Sequence, residues 1–224
     1  MVLHVMDMEQ RSEEWYAARC GLVTASTIKT LVTPATLKTA SNDGSRGLTA
    51  QLLAERITGW SETTYQSADM FRGVVEEPRA IEVYAKHYQR SVETVGFMVR
   101  DDWGFSIGYS PDGLVGDDGL IEVKAPRSKG HVQTIVAGVV PAEHMAQLQC
   151  GLLVSGRAWV DYVSFCGGLP LWTKRVEPNP EWHTAILAAV AAFEKTVAAW
   201  LATYEKATEG LAQTERALEM EMVI

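Results

Sequence analysis

Cysteine is scarce in this chain, and what there is lies scattered. Cys20, Cys150 and Cys166 form no C-x-x-C pair, which excludes a four-thiolate iron–sulfur cluster held within the chain and argues against a zinc ribbon. The expectation is three reduced thiols in a reducing compartment. The five histidines include no H-E-x-x-H and no paired spacing. The longest uninterrupted apolar run, Ala185 to Phe193, stops at Glu194 and Lys195, short of the ~20 residues a bilayer span requires. The N-terminal M-V-L-H-V-M-D-M-E-Q-R has no basic stretch leading into an apolar one, so no signal peptide is readable. A soluble, cytoplasmic protein with no membrane partner is expected. Positive charge is also in deficit, with 20 Lys and Arg against 28 Asp and Glu, a net charge of −8 and a pI near 5.2. That argues against holding nucleic acid by bulk attraction. A local basic groove is still compatible with it.

What is present is ordinary for a globular protein: 47% hydrophobic and 21% charged residues, enough for a core. No repeat and no linker divides the 224 residues, so one domain is expected. Ser12 suits the N-cap of a short helix carrying Trp15 and stopped by Gly21. Thr24 or Ser26 suits the cap of a second helix with Ile28, Leu31 and Val32 at helical spacing. Residues 33–46 have loop composition, and Leu48 to Ile57 reads as a helix stopped at Gly59. Across Phe71 to Tyr88, the residues Ile81, Tyr84, Ala85 and Tyr88 share one helical face. Pro78 would cost a hydrogen bond in a helix interior, which favours a helix starting near Glu77 with the proline in its first turn.

The period then changes. Val95, Phe97 and Val99 alternate, as do Phe105, Ile107 and Tyr109, and then Ile121 and Val123, predicting an antiparallel three-stranded meander. Ala125 to Gly138 reads as a basic loop with Arg127, Lys129 and His131. Ala142 to Leu153 is helical. Trp159 to Phe165 and Leu171 to Val176 are strands around a Gly167-Gly168 turn. Glu181 to Tyr204 is a long helix with Trp182, Ile186, Val190, Phe193, Val197, Leu201 and Tyr204 on one stripe, and an acidic tail follows over 205–224. This order implies an α/β domain with a mixed central sheet flanked by helices.

Chemistry concentrates in G-Y-S-P-D-G-L-V-G-D-D-G-L-I-E-V-K-A-P, Gly108 to Pro126. A strand and tight return strand can bring Asp112 to Glu122, and strand alternation points Glu122 and Lys124 one way while Ile121 and Val123 point into the core. Two carboxylates and an ammonium suit a hard divalent cation, which takes oxygen ligands and keeps waters. The Val123 carbonyl at the strand edge offers a third oxygen. A pair of such ions about 3.5–4 Å apart activates water and stabilises the leaving oxygen in phosphodiester cleavage. Lys124 would then orient or deprotonate that water, or stabilise charge on phosphorus. Spacing alone serves equally well for a solvated turn aspartate beside a surface Glu–Lys pair. Three other features bear on the choice: Glu76 and Glu77 in G-V-V-E-E-P, the amides of Gln147 and Gln149 in A-Q-L-Q, and Arg19, Thr24 and Ser26 near a helix N-terminus, the local chemistry of a phosphate site.

In order, W-x-x-x-R-x-G-x-x-T-A-S (Trp15 to Ser26), G-x-x-x-E (Gly73 to Glu77), S-P-D-G (Ser110 to Gly113), E-V-K-x-P (Glu122 to Pro126) and M-A-Q-x-Q (Met145 to Gln149) make the chain resemble one family. It resembles the phage-type alkaline exonucleases, the lambda exonuclease-like (YqaJ) family of PD-(D/E)xK nucleases, from about Arg11 to Val154. The resemblance implies a restriction-endonuclease-like core over about residues 11–176. It implies Asp112, Glu122, the Val123 carbonyl and Glu77 as metal ligands, with Glu76 as the alternative to Glu77. Lys124 becomes the catalytic lysine and Gln147 the helix glutamine, while Arg19, Thr24, Ser26 and Ser110 hold a 5′-phosphate. It further implies two Mg²⁺ ions, replaceable by Mn²⁺, and processive 5′-to-3′ digestion of one strand of linear duplex DNA. A homotrimeric ring, a single-strand annealing partner and a phage or prophage origin in a bacterial host follow from the same likeness. A compact chain of this length has a radius of gyration of about 17 Å, too small to encircle a duplex alone, so enclosure requires several subunits. The other readings of the same residues are an endonuclease or single-strand exonuclease of this fold, and a non-catalytic DNA-end-binding protein.

Overall fold

The computed structural model describes residues 2–61 and 67–215. In chain order it runs β1 (Leu3–Met6), α1 (Glu13–Arg19), β2 (Val23–Thr24), a 3₁₀ turn (Ile28–Thr30), β3 (Val32–Thr33), β4 (Lys38–Thr39), α2 (Asp43–Thr58) and α3 (Ala68–Tyr88). It continues through β5 (Val92–Glu93), β6 (Phe97–Arg100), β7 (Ile107–Tyr109), β8 (Gly113–Val115), β9 (Gly119–Lys124), α4 (Ser128–Ala137), α5 (Ala142–Ser155), β10 (Trp159–Ser164), β11 (Trp172–Val176) and α6 (Pro180–Ala207). One sheet has the order β1-β6-β7-β2, a second β11-β10-β9-β8-β5, and β3-β4 form a small hairpin. Both larger sheets are mixed: β2 runs parallel to β7 and β9 parallel to β10, while their other pairings are antiparallel.

The expected meander is split between these sheets. β6 and β7 pair in the first, and β9 pairs with β8 and β10 in the second. The chain crosses over at Ser110–Pro111–Asp112. Pro111 has no N–H to give a ladder, so pairing breaks there and the strand can change sheets.

Helix α3 begins at Ala68, nine residues before the start near Glu77 that Pro78 favoured. Ser67 caps it, accepting from the Met70 amide at 3.2 Å, and Pro78 lies inside. An interior proline costs about 3 kcal/mol, but Ala80 and Tyr84 just beyond it are fully buried against Val115, Ile121, Val123 and Val163. Burying a large ring such as that of Tyr84 returns roughly 1.5–3 kcal/mol and the Ala80 methyl about 0.8 kcal/mol, so tertiary packing offsets the proline and carries the helix through it. The expected second helix is only the 3₁₀ turn, because Val32 and Thr33 are drawn into the hairpin with Lys38 and Thr39. The loop of residues 33–46 holds that hairpin and the start of α2, whose Asn42 and Ser45 form a capping box. The basic loop is the helix α4. Its His131 faces inward, fully buried, with Nδ1 2.8 Å from Ser164 Oγ and Nε2 2.9 Å from the Pro170 carbonyl.

α5 and α6 carry the larger core. Trp182, Ile186, Val190, Phe193 and Val197 of α6 pack with Leu148 and Leu152 of α5. By length and hydropathy alone α6 could cross a bilayer. Its apolar stripe is committed to this core, however, and Glu194 in its middle is paired to Arg56 at 2.7 Å. Helix α6 takes in residues 205–207 of the acidic tail, 211–215 are non-regular, and 216–224 lie outside the described residues.

The α3 face that carries Ala80 and Tyr84 is anchored by Asp161 on β10. Asp161 accepts from the Tyr84 hydroxyl at 2.7 Å and from two Arg175 nitrogens at 2.9 Å. Asp161→Ala leaves the buried Tyr84 hydroxyl without an acceptor. It is expected to lower unfolding free energy by about 2–3 kcal/mol in urea titrations, whereas Arg175→Ala, at a half-exposed guanidinium, costs less.

Candidate active site

The site is built on β9. Its alternation sends Ile121 and Val123 into the packing against α3, while Leu120 packs with Leu148 and Tyr162 on the α5 side. Glu122 and Lys124 share the parity of Leu120, and Glu122 lies opposite Tyr162 in the parallel register. Glu122 is 1% exposed. Its Oε1 accepts from Lys124 Nζ at 2.6 Å and from the Gln147 side-chain amide, and the Tyr109 hydroxyl approaches Oε2 at 3.5 Å. Tyr109 can lie so close to α5 because Gly151 has no side chain. A Cβ there would sit 2.7 Å from the ring.

Asp112 arrives from the crossover. The β8–β9 ladder ends at Gly113 opposite Ile121, so the Val123 amide has no strand partner on that side. Asp112 Oδ2 takes it at 2.6 Å. Because a strand residue's N–H and C=O point to the same edge, the Val123 carbonyl faces the edge on which Asp112 sits.

Charge is crowded here. Burial, and then the Glu122 charge, push Asp112 well above the usual carboxylate range; Lys124 and the Val123 amide oppose this, and Glu77 adds to it. Burial works against the charged form of Lys124, but Glu122 and Asp112 together prevail and hold its ammonium above the ordinary lysine range. Burial, then Glu122 and Asp112, likewise raise the Tyr109 hydroxyl. One ammonium against the buried Glu122 and the half-buried Asp112 leaves excess negative charge lined by oxygen donors. That donor set fits a hard divalent cation.

Glu77 and Glu76 separate cleanly. Glu77 is felt electrostatically at Asp112 and accepts from Arg11 Nη2 at 2.9 Å. Glu76 accepts from Arg72 at 3.0 Å, and the same Arg72 nitrogen reaches the Pro126 carbonyl at 3.3 Å. Among the described residues, no three Asp, Glu, His or Cys side chains stand close enough to hold one ion.

The second cluster adjoins the first through Ser110, two residues before Asp112. Arg19 reaches Ser110 Oγ and Thr24 Oγ1 at 3.4 Å and Ser26 Oγ at 3.3 Å, with its guanidinium 4.0 Å from the Trp15 ring centroid. Trp15 Nε1 donates to Ser110 Oγ at 2.8 Å. Burial pulls Arg19 down to about 10, against the charges of Tyr16 and Glu55, so it is still a cation at neutral pH. Among the described residues its hydrogen-bond partners are hydroxyls, not a carboxylate, which leaves its charge for an anion.

Nine of the ten anticipated positions thus fall into two adjoining clusters, and the tenth, Glu77, stands near Asp112 with its carboxylate turned to Arg11. Spacing did not single out Arg11, Tyr109 or the tryptophan under Arg19, although Trp15 stands in the same motif. Nor did it reveal His144, one turn before Gln147, whose ring stacks on Tyr162 at 5.5 Å. Burial, then Lys124 and Lys29, draw His144 down to about 4. Gln149 is structural: it is buried and bonds the Glu177 carbonyl and the Asn179 amide.

A carboxyl whose pKa rises on folding weakens the fold at pH values above its ordinary pKa, and the penalty lifts when its charge is removed or neutralised. Asp112→Asn keeps an oxygen for the Val123 amide. At pH 8 in chelator it is therefore expected to raise Tm by about 2–4 °C, and to abolish the rise that Mg²⁺ produces in the wild type. A lower Tm in chelator, or an undiminished Mg²⁺ effect, contradicts this account of the site.

Residues 14–158 match the YqaJ-like viral recombinase domain. The crystal structure of an alkaline exonuclease, LHK-Exo, from Laribacter hongkongensis is similar at 33% identity and a TM-score of 0.80, over 90% of this chain and 100% of that one. A second structure of LHK-Exo, in complex with dAMP, matches equally well. A phage related exonuclease from Haemophilus somnus 129PT shares the fold at 12% identity and a TM-score of 0.64, over 82% of this chain and 96% of its own. A search of curated proteins returns no significant match. With its mixed sheets and flanking helices in the restriction-endonuclease-like PD-(D/E)xK arrangement, the chain belongs to the YqaJ-like viral recombinase family and is a homologue of the phage-type alkaline exonucleases.

Proposed function

We propose that this chain is a Mg²⁺-dependent exodeoxyribonuclease that digests the 5′-ended strand of linear duplex DNA. It would release 5′-mononucleotides and leave a 3′ single-stranded overhang for recombination. The observation that carries this reading is the joining of the two clusters: Ser110 touches Arg19 and Trp15, and Asp112, two residues on, touches Val123 on β9. A terminal phosphate held by Arg19, Thr24, Ser26 and Ser110 places the adjoining phosphodiester near the carboxylates. The homologue LHK-Exo has been crystallised with dAMP, a mononucleotide of the kind such a reaction releases.

Asp112, Glu122 and the Val123 carbonyl would hold Mg²⁺, with Glu77 supplying a further oxygen. A metal held there would supply a more acidic water and an electrophile for the phosphodiester oxygens. Lys124, held by Glu122, presents its ammonium to the attacking water and to charge developing on the phosphoryl oxygens. Gln147 fixes the same Glu122 oxygen from the helix side. The stacked Trp15 and Arg19 confine the end, as a planar cation favours a bidentate phosphate contact. Enclosure of the duplex would take several copies, a homotrimer being the expected ring. An annealing protein would receive the exposed strand in the cytoplasm of a phage-bearing host.

The reading is tested with 5′-phosphorylated linear duplex, nicked circle and closed circle, each with Mg²⁺ or chelator. Mononucleotide release from linear DNA only is expected, abolished by chelator and reduced at least ~10²-fold by Lys124→Ala. Cutting of closed circles overturns the exonuclease assignment, and an active Lys124→Ala overturns the mechanism. Removal of the 5′-phosphate is expected to slow digestion, and Arg19→Ala to narrow that difference. An unchanged phosphate preference in Arg19→Ala would place end recognition elsewhere. Light scattering checks the trimer.

A further inference from the structure

The tripeptide Gln10–Arg11–Ser12 ties the parts of this site together. The Gln10 side-chain amide donates to the Val95 and Pro111 carbonyls, both at 2.9 Å, gripping the crossover just before Asp112. Ser12 caps α1, the helix bearing Trp15 and Arg19. Between them Arg11 has φ 72°, the left-handed region that favours glycine over any residue with a side chain. Such a conformation persists only where its surroundings over-determine it, and it concentrates at functional sites. Here both neighbours are pinned, and the Arg11 guanidinium is aimed at Glu77, 2.9 Å from Oε2.

That contact bears on charge. Glu77 is near enough to disfavour ionised Asp112, yet it does not join Asp112 and Glu122 in a three-carboxylate group. Its oxygen is turned to Arg11 instead, which relieves repulsion among three acids at one site. Arg11 and Glu77 are both only partly buried, so the pair can open without stranding a buried charge.

We propose that Arg11 is a positioning residue that holds Glu77 in reserve, so that a divalent cation must take Glu77 from Arg11 to complete its ligand set. This rests on the metal reading of the Asp112–Glu122 site. Glycine accepts φ 72° without strain, so Arg11→Gly removes the guanidinium while easing the backbone. Arg11→Met removes only the charge.

The test is Mn²⁺ binding followed by the electron paramagnetic resonance of the free ion, without DNA, in the wild type, Arg11→Gly, Arg11→Met, Glu77→Gln and the Arg11→Gly/Glu77→Gln double variant. Both Arg11 variants are expected to lower the Mn²⁺ dissociation constant roughly three- to fivefold, the scale of a partly exposed ion pair. In the Glu77→Gln background Arg11→Gly is expected to change nothing, and its Tm in chelator should equal or exceed that of the wild type. Unchanged or weaker Mn²⁺ binding in both Arg11 variants overturns the proposal. So does equal tightening without Glu77, because the effect would then be general electrostatics. A wild type that binds no Mn²⁺ overturns the metal reading itself; binding that ignores Arg11 overturns only the reserve role.

Discussion

The hydrogen bond from the Val123 amide to the Asp112 carboxylate is the contact on which the site depends. Pro111 cannot extend the β8–β9 ladder, so β9 would otherwise end with an unpaired amide beside buried groups, a costly arrangement. The Asp112 side chain replaces the missing strand. In doing so it brings a carboxylate against the strand that carries Glu122 and Lys124, and it stands on the edge that the Val123 carbonyl faces. A defect in the sheet and the assembly of the candidate metal site are one feature.

That assembly opposes stability. Burial and neighbouring acids raise Asp112 far above its ordinary range, with Lys124 and the Val123 amide opposing them. The molecule supports this crowding from outside. α3 is held to β9 and β10 by Ala80, Tyr84 and the Asp161–Arg175 pair, and Gly151 lets Tyr109 reach Glu122. Such rigidity suits electrostatic catalysis, in which groups must stand in place before charge develops. The Arg19 pocket shares this frame through Trp15 and Ser110, so an end and a scissile bond would be measured against the same short crossover.

Much of this was legible in residue order. The Ser12 and Gly59 helix signals, the strands at Trp159 and Trp172, the stripe of α6 and the grouping of Asp112, Glu122 and Lys124 depend on local preference and period, which a linear chain displays. The failures share a cause. A proline predicted to begin a helix lies inside one because burial of Tyr84 and Ala80 offsets what Pro78 costs. A basic stretch read as a loop is helical because His131 finds Ser164 and the Pro170 carbonyl, partners more than thirty residues away. The meander divided because alternation specifies a strand but not the sheet it joins.

By itself the sequence determined which chemistry was available: oxygen donors and one lysine at strand spacing, an arginine among hydroxyls, and too few thiols or paired histidines for softer metals. Those are properties of side chains and their local period. Only the tertiary structure decided which groups act on one another. It separated Glu77 from Glu76 by the face each presents on α3, and placed Arg11 on Glu77 through a left-handed backbone that no spacing rule signals. It also shifted Asp112 and Lys124 by bringing them, half-buried, against Glu122. Electrostatic strength depends on distance and on exclusion of water, and both are set by packing between segments far apart in the chain.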